Sequence, residues 1–171
     1  MLKIIISGPE SSGKTSLAKA LSKDFKIEYT KEYSRKYLTQ IKRKYKKEDL
    51  SNIAKIQLEN ELFNSQNNEI SIHDTDLITI KIWGLYKYGD CEDWILEKIN
   101  KQKEENRVYF LCFPDIPWES DPLRENPNDR KKLFKIYQKE LSELDHTYFI
   151  IKGERRIEKA KKIMQKLINS F

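Results

Sequence analysis

Short apolar runs alternate along the chain with longer stretches in which apolar residues recur every three or four positions. The short runs predict β-strands at Leu2–Ile6, about Lys26–Tyr29, Glu69–His73, Arg107–Phe113 and Tyr148–Lys152. The longer stretches predict helices, because such a repeat places apolar side chains on one helix face. Strands that alternate with helices are typical of parallel sheets. We therefore expect an α/β fold with a five-stranded parallel sheet, in the order 2-3-1-4-5, flanked by helices.

Prolines interrupt this pattern between the fourth and fifth predicted strands. Four prolines lie within residues 114–128, and each fixes φ and removes a backbone donor, so no continuous helix or central strand can pass through. Long loops inside compact domains tend to be functional, and we expect residues 114–130 to form a short lid. Because no repeat or linker occurs elsewhere, residues 1–171 are expected to form a single domain.

The net charge of the chain favours negatively charged ligands but does not distinguish among them. The chain has 33 basic and 27 acidic residues and a net charge of +6, a surplus that suits phosphates, nucleic acids or acidic membranes. The densest basic cluster, Arg35–Lys47, also contains Tyr37 and Tyr45. We interpret it as a solvated helix end and loop, and an RNA or DNA patch is the alternative.

The remaining composition predicts a cytoplasmic protein without a membrane segment. The chain has two cysteines, Cys91 and Cys112, and no Cys-x-x-Cys pair, which is typical of a reducing compartment. The N-terminus lacks the apolar stretch of a secretion signal. No apolar run approaches the roughly 20 residues that cross a bilayer.

Residues 8–15 fit the phosphate-binding pattern G-x-x-x-x-G-K-[ST] between an apolar strand and a helical repeat. Glycines let successive backbone amides turn toward phosphate oxygens, and the following helix adds the positive end of its dipole. Lys14 is predicted to neutralise the β- and γ-phosphates of ATP, and Thr15 to ligate Mg²⁺. The predicted ATP-binding residues of this P-loop are Gly8, Glu10, Ser11, Ser12, Gly13, Lys14, Thr15 and Ser16.

Two carboxylates follow the third predicted strand. Phosphoryl-transfer proteins of this class place an acidic residue at the end of a neighbouring strand to hold the metal. Asp74 stands at that point, so we predict that it ligates Mg²⁺ together with Thr15. Asp76 fits two roles equally well, as a substrate ligand or as the N-cap of the next helix.

A P-loop alone leaves motor, switch, ATPase and kinase open. The chain is too short for a helicase pair or a transporter domain, and it has no Asn-Lys-x-Asp signature of a GTPase. Small-metabolite kinases remain, and they close an arginine-bearing segment over ATP. Arg124 and Arg130 in the predicted lid are the candidate arginines, and Arg124 is predicted to stabilise the transferred charge.

These motifs together resemble the nicotinamide riboside kinase (ribosylnicotinamide kinase) domain of NadR-type proteins, a family of P-loop kinases. The matching segments span nearly the whole chain and are the P-loop, Glu32–Arg35, Asp74–Asp76, Ile82–Trp83, Pro114–Trp118 and Asp121–Arg124. One departure is Pro122, where the family usually has glycine. The resemblance implies ATP-dependent phosphorylation of the 5′-hydroxyl of nicotinamide riboside to nicotinamide mononucleotide, in NAD salvage. Family members often carry an adenylyltransferase domain ahead of the kinase; because the first strand begins at Leu2, we expect only the kinase step here.

The resemblance also places an acidic and a basic side chain beside the ribose. Glu32 is the preferred general base for the 5′-hydroxyl, with Asp74 as its rival, and Arg35 would steady the carboxylate. The predicted substrate-binding residues are Glu32, Tyr33, Arg35, Gln57, Asp74, Asp76, Trp83 and Trp118. Gly153 and Arg156, after the last strand, are predicted to contact the adenine of ATP.

Two alternatives stay open. Another nucleoside or deoxynucleoside could be the acceptor in the same chemistry. An ATP-dependent nucleic-acid-binding protein, using the Arg35–Lys47 cluster, is the alternative of another class, and we expect it less than a kinase.

Overall fold

The computed structural model describes residues 1–66 and 68–171. Its centre is a parallel sheet in the order β2-β3-β1-β4-β5, which confirms the predicted topology. The strands are β1 (Leu2–Ser7), β2 (Tyr29–Thr30), β3 (Ile70–Asp74), β4 (Arg107–Cys112) and β5 (Thr147–Ile151).

Helices cover both faces of the sheet. They are α1 (Lys14–Phe25), α2 (Tyr33–Gln40), α3 (Lys47–Gln66), α4 (Leu77–Tyr88), α5 (Asp93–Lys101), α6 (Arg130–Glu143) and α7 (Arg156–Ser170). One hydrophobic core lies between the sheet and α3 to α6, and Ile5 of β1 points into it. The second core lies between the other face and α1 and α7, and it receives Ile4 and Ile6. This alternation follows from the period of two along a strand.

The second strand differs from the prediction. Lys26 was expected to begin it, but Lys26 ends α1 in a left-handed conformation with φ of 55°, and its amide bonds to the carbonyl of Ser22. A residue that closes a helix in this way cannot also start a strand. The strand therefore begins later and is short.

The basic cluster Arg35–Lys47 is divided between α2, the following loop and the first residue of α3. Within it, Arg43 makes two hydrogen bonds of 2.7 and 2.8 Å to the carboxylate of Asp49. Between Cys112 and Arg130 the described chain forms neither strand nor helix, as its prolines predicted. No helix among residues 1–66 and 68–171 is both long enough and apolar enough to span a bilayer.

A buried ionic cluster joins the sheet to α3 and α4. Arg107 of β4 has a fully buried side chain, which pairs with Glu61 at 2.6 Å and with Asp76 at 3.0 Å. Lys3 of β1 adds a third ion pair, to Glu61, at 3.1 Å. Burial opposes the ionisation of Glu61, yet the Arg107 guanidinium outweighs it and lowers the pKa of Glu61 to about 2.

We expect the Arg107→Met variant to lose about 3–5 kcal/mol of unfolding free energy, because it leaves the buried carboxylate of Asp76 without its cation and Glu61 with Lys3 alone. Urea denaturation followed by circular dichroism measures the loss. The control is Arg155→Met, because the Arg155 side chain is 79% exposed and pairs with Glu158 at the surface, where ion pairs contribute little to stability. Equal stability of the two variants would contradict this account.

Candidate functional site

A cleft of about 540 Å³ opens beside the P-loop. It is bounded by segments that follow the carboxyl ends of the strands, where ligands bind in open α/β sheets. The lining residues are Gly8–Ser16 of the P-loop and the start of α1, Glu32, Ser34, Arg35 and Leu38 around α2, Thr79, Ile82, Trp83, Tyr86 and Lys87 of α4, Ile116, Glu119 and Leu123–Asn126 of the 114–130 segment, and Leu133 and Tyr137 of α6.

The P-loop is shaped by close packing on β4. A Cβ on Gly8, whose φ is 134°, would lie 2.7 Å from the carbonyl oxygen of Cys112, so only glycine fits. Gly13 adopts a left-handed conformation immediately before α1. The ammonium group of Lys14 donates to the carbonyl of Pro9 at 3.0 Å, which holds the lysine across the loop.

Thr15 and Asp74, which were predicted to hold Mg²⁺, lie within hydrogen-bond distance of each other. The hydroxyl of Thr15 donates to Oδ2 of Asp74 at 2.7 Å, and Oδ1 of Asp74 is buried without a hydrogen-bond partner among the described residues. A hydroxyl and a carboxylate with a free oxygen fit Mg²⁺, which takes oxygen ligands and keeps several waters. No group of three or more His, Cys, Asp or Glu side chains in the described part of the chain could hold a metal, so phosphate and water oxygens would have to complete the shell.

Burial changes the acidity of Asp74. The side chain belongs to a residue that is 1% exposed, and burial, followed by the negative charge of Glu32, raises its pKa to about 6. Lys14 and the Thr15 hydroxyl act in the opposite direction. In the absence of a bound cation, the ionised carboxylate of Asp74 therefore lowers the stability of the folded protein.

Glu32 and Arg35 lie on the side of the cleft formed by α2. The carboxylate of Glu32 accepts a hydrogen bond from Ser34, which fixes its direction. Arg35 forms an ion pair with Asp121 of the 114–130 segment at 2.6 Å. The acidic and basic side chains that were predicted beside the substrate thus both face the cleft.

Aromatic side chains line the cleft beyond Glu32. Trp83 and Tyr86, one turn apart on α4, are both lining residues. The indole N–H of Trp83 donates to the hydroxyl of Tyr45 at 2.9 Å, and the two rings meet edge to face at 5.1 Å. Tyr45 was not predicted as a site residue; its only signal was its place inside the basic cluster.

Sequence reasoning also missed the contribution of α6. Leu133 and Tyr137 line the cleft, although they follow the irregular 114–130 segment and belong to the helix before the last strand. Their spacing is that of ordinary core residues in a helix. No local signal distinguished them, because their position depends on how α6 packs on the sheet.

The structure corrects the predicted substrate role of Asp76. This residue is 0% exposed, and its Oδ1 accepts from the amide of Ile78 at the start of α4. Its Oδ2 accepts from Arg107 at 3.0 Å and from the hydroxyl of Tyr109 at 2.7 Å. With its acceptors occupied by the protein, Asp76 is the N-cap of α4 and does not reach the cleft.

Three further predicted substrate residues, Tyr33, Gln57 and Trp118, do not line the cleft. Gln57 is 2% exposed, and its side-chain oxygen accepts a hydrogen bond of 2.8 Å from the backbone amide of Tyr33. The Trp118 ring instead lies near the guanidinium carbons of Arg124 and Arg130, at 5.9 and 5.7 Å. Tyr33, Gln57 and Trp118 therefore lie outside the surface of the cleft.

The predicted ATP-binding arginines surround the P-loop. Arg124 lines the cleft and its Nη1 lies 3.4 Å from the hydroxyl of Ser11. Arg130 donates to the carbonyl of Ser11 at 3.0 Å, and Arg156 to that of Ser12 at 2.9 Å.

Gly153 contacts the 114–130 segment through its backbone amide. Its amide donates to Asp115 at 2.7 Å, and Asp115 also pairs with Arg156. Arg130, Gly153 and Arg156 are not among the cleft residues, so their contact with ATP stays a prediction.

Comparisons with known proteins agree with this geometry. A family model described as an AAA domain matches residues 3–158, and the chain belongs to that family. No curated protein sequence matches the chain.

Among solved structures, the NadR protein in complex with NR has a TM-score of 0.73 and 19% identity, over 96% of this chain and 51% of that one. Deoxyadenosine kinase from M. mycoides with bound dATP has a TM-score of 0.58 and 18% identity, over 98% of this chain and 100% of that one. The chain spans about half the length of the NadR structure. These likenesses show a P-loop kinase fold and confirm the resemblance in fold to the NadR kinase domain.

We expect Asp74→Asn to stabilise the metal-free protein at pH 8 by up to about 3 kcal/mol. The pKa of about 6 in the folded state lies above the ordinary aspartate value of 3.8, and one pKa unit corresponds to about 1.4 kcal/mol. Ionisation of Asp74 destabilises the folded protein in full above pH 6. This destabilisation disappears as the pH falls below 4, where the carboxyl is protonated in both the folded and the unfolded state. The gain should therefore shrink toward zero near pH 4, which denaturation in EDTA measures.

Asp93→Asn serves as the control, because Asp93 is exposed at the start of α5. A gain at Asp74 that is equal at pH 4 and pH 8 would contradict the assigned cause.

Proposed function

We propose that the chain transfers the γ-phosphoryl group of ATP to the 5′-hydroxyl of nicotinamide riboside and so forms nicotinamide mononucleotide. The observation that carries the proposal is the cleft of about 540 Å³, which has the P-loop on one side and Glu32, Trp83 and Tyr86 on the other. A triphosphate and a nucleoside can meet only where both surfaces face the same space. The NadR structure that shares this fold contains NR, which supports the choice of acceptor.

The phosphate side of the cleft would bind ATP. The amides of the P-loop and the first turn of α1 bind the phosphates, and Lys14 leaves the Pro9 carbonyl to neutralise them. Thr15 and Asp74 would hold Mg²⁺, which would supply positive charge to neutralise the phosphates when bound. Arg124, within 3.4 Å of Ser11, is placed to stabilise the charge of the transferred group.

Glu32 is the better placed general base. It lines the cleft, whereas Asp74 is buried beneath Thr15 and does not line it. As the 5′-oxygen forms its bond to the γ-phosphorus, its proton passes to the Glu32 carboxylate. The bond between the γ-phosphorus and the bridging oxygen breaks, and ADP leaves with that electron pair.

The aromatic wall of the cleft suits a cationic acceptor. The nicotinamide ring of the riboside carries a positive charge, and Trp83 and Tyr86 offer the aromatic faces that attract cations. The charges of the lining do not choose the acceptor, because four acidic and four basic side chains line the cleft: Glu10, Glu32, Glu119, Glu125, Lys14, Arg35, Lys87 and Arg124.

A deoxynucleoside kinase is the second candidate. The deoxyadenosine kinase structure, which holds dATP, shares the fold with a TM-score of 0.58, and the higher TM-score of 0.73 favours NadR. Both share the donor, the metal pair and the base, so the acceptor alone separates them.

We expect the purified chain with Mg·ATP to convert nicotinamide riboside to a product one phosphate heavier, and to convert adenosine, deoxyadenosine and cytidine more slowly. Mass spectrometry of a nucleoside panel measures this preference. Lys14→Ala should lose the product while remaining folded, because the triphosphate loses its cation. Preference for a deoxynucleoside selects the second candidate, and ATP turnover that only RNA or DNA stimulates would overturn both.

We expect Glu32→Gln to lower kcat by roughly 10²–10⁴-fold, the usual contribution of a general base, with little change in the affinity for Mg·ATP. Asp74→Asn should instead raise the Mg²⁺ concentration needed for half-maximal activity. Initial rates at varied Mg²⁺ and pH distinguish the two. Near wild-type turnover by Glu32→Gln would move the role of base to Asp74.

A further inference from the structure

The P-loop contains a carboxylate, Glu10, in a segment built to bind anions. An acidic side chain among phosphate-binding amides opposes the binding of a triphosphate unless its charge is engaged elsewhere. The structure shows that engagement. Oε2 of Glu10 accepts the backbone amides of Glu125 and Asn126, each at 3.0 Å.

We propose that Glu10 is a positioning residue that fastens the 114–130 segment to the P-loop, so that Arg124 is held over the phosphates and water is excluded from them. The inference rests on the proposed kinase function. Glu10 was predicted to bind ATP; here its carboxylate binds the segment that would cover ATP. Two amides that donate to one carboxylate oxygen form charge-assisted hydrogen bonds, which are stronger than neutral ones.

Adjacent residues on both sides reinforce this contact. Ser11 follows Glu10, and its hydroxyl lies 3.4 Å from Nη1 of Arg124, which precedes Glu125. The amide of Glu119 also donates to the Ser11 hydroxyl, at 3.2 Å. Two consecutive P-loop residues thus bind a short stretch of the 114–130 segment through its backbone and through Arg124. Release of Glu10 would free the backbone that carries this arginine.

The same stretch also reaches the acceptor side of the cleft. The side chain of Glu125 pairs with Lys87 of α4 at 2.7 Å and accepts a hydrogen bond from the hydroxyl of Tyr45. Tyr45 in turn contacts Trp83. Glu125 therefore contacts the P-loop through its backbone amide, and it contacts Lys87 and Tyr45 through its carboxylate. Loss of the Glu10 contact would release this connection across the cleft.

Hydrogen exchange measures the contact without any acceptor. We expect Glu10→Ala to exchange the amides of residues 119–127 about tenfold faster than the wild type with a non-hydrolysable ATP analogue and Mg²⁺ bound, because two hydrogen bonds to a charged group are lost. Glu10→Gln, which keeps the shape but not the charge, should lie between them. Glu97→Gln, at an exposed position of α5, should match the wild type. Unchanged exchange at 119–127, or faster exchange throughout the chain, would overturn the proposal.

Kinetics provides a second readout. With the accepted nucleoside, Glu10→Ala should lower kcat for phosphoryl transfer about tenfold and raise ATP hydrolysis relative to transfer, since an unfastened segment admits water. A higher KM for ATP with unchanged kcat would instead make Glu10 a direct ATP ligand and overturn the proposal. Because the exchange readout needs no acceptor, failure of nicotinamide riboside as a substrate leaves that test intact.

Discussion

The close contact between Gly8 and the end of β4 is the constraint on which the site depends. Because a side chain at Gly8 would lie 2.7 Å from the Cys112 carbonyl, the P-loop can turn tightly over the sheet edge. That turn places Thr15 within hydrogen-bond distance of Asp74 at the end of β3. The parallel order of the strands then brings the loops after β2, β3 and β4 to the same edge. The cleft follows from this edge and from the helices that border it.

Electrostatics divides the chain's buried acids into two kinds. Asp76 and Glu61 are surrounded by the Arg107 cluster and have cationic partners within the protein. Asp74 lies two residues from Asp76, yet one of its oxygens is buried without a partner among the described residues. The first arrangement stabilises the junction of α3, α4 and the sheet. The second leaves a raised pKa of about 6, which suits a site that is completed by a cation and phosphates.

The sequence was sufficient for the parts of the site that are local. The P-loop is one continuous segment, Asp74 ends β3 and Glu32 closely follows β2, so their place at the sheet edge could be predicted. Asp76 could not be assigned, because capping and substrate binding require the same residue type, and only the buried Arg107 decides between them. Leu133 and Tyr137 reach the cleft, and Tyr45 reaches Trp83 behind its surface, through packing of distant segments, which no local pattern encodes.

A structure of the protein with a non-hydrolysable ATP analogue, Mg²⁺ and nicotinamide riboside tests the central claim most directly. We expect the triphosphate on residues 8–15, the metal on Thr15 and Asp74, and the 5′-hydroxyl of the riboside beside Glu32 and in line with the γ-phosphorus. A triphosphate bound elsewhere, or a riboside that lies outside the space between Glu32 and Trp83, would contradict it.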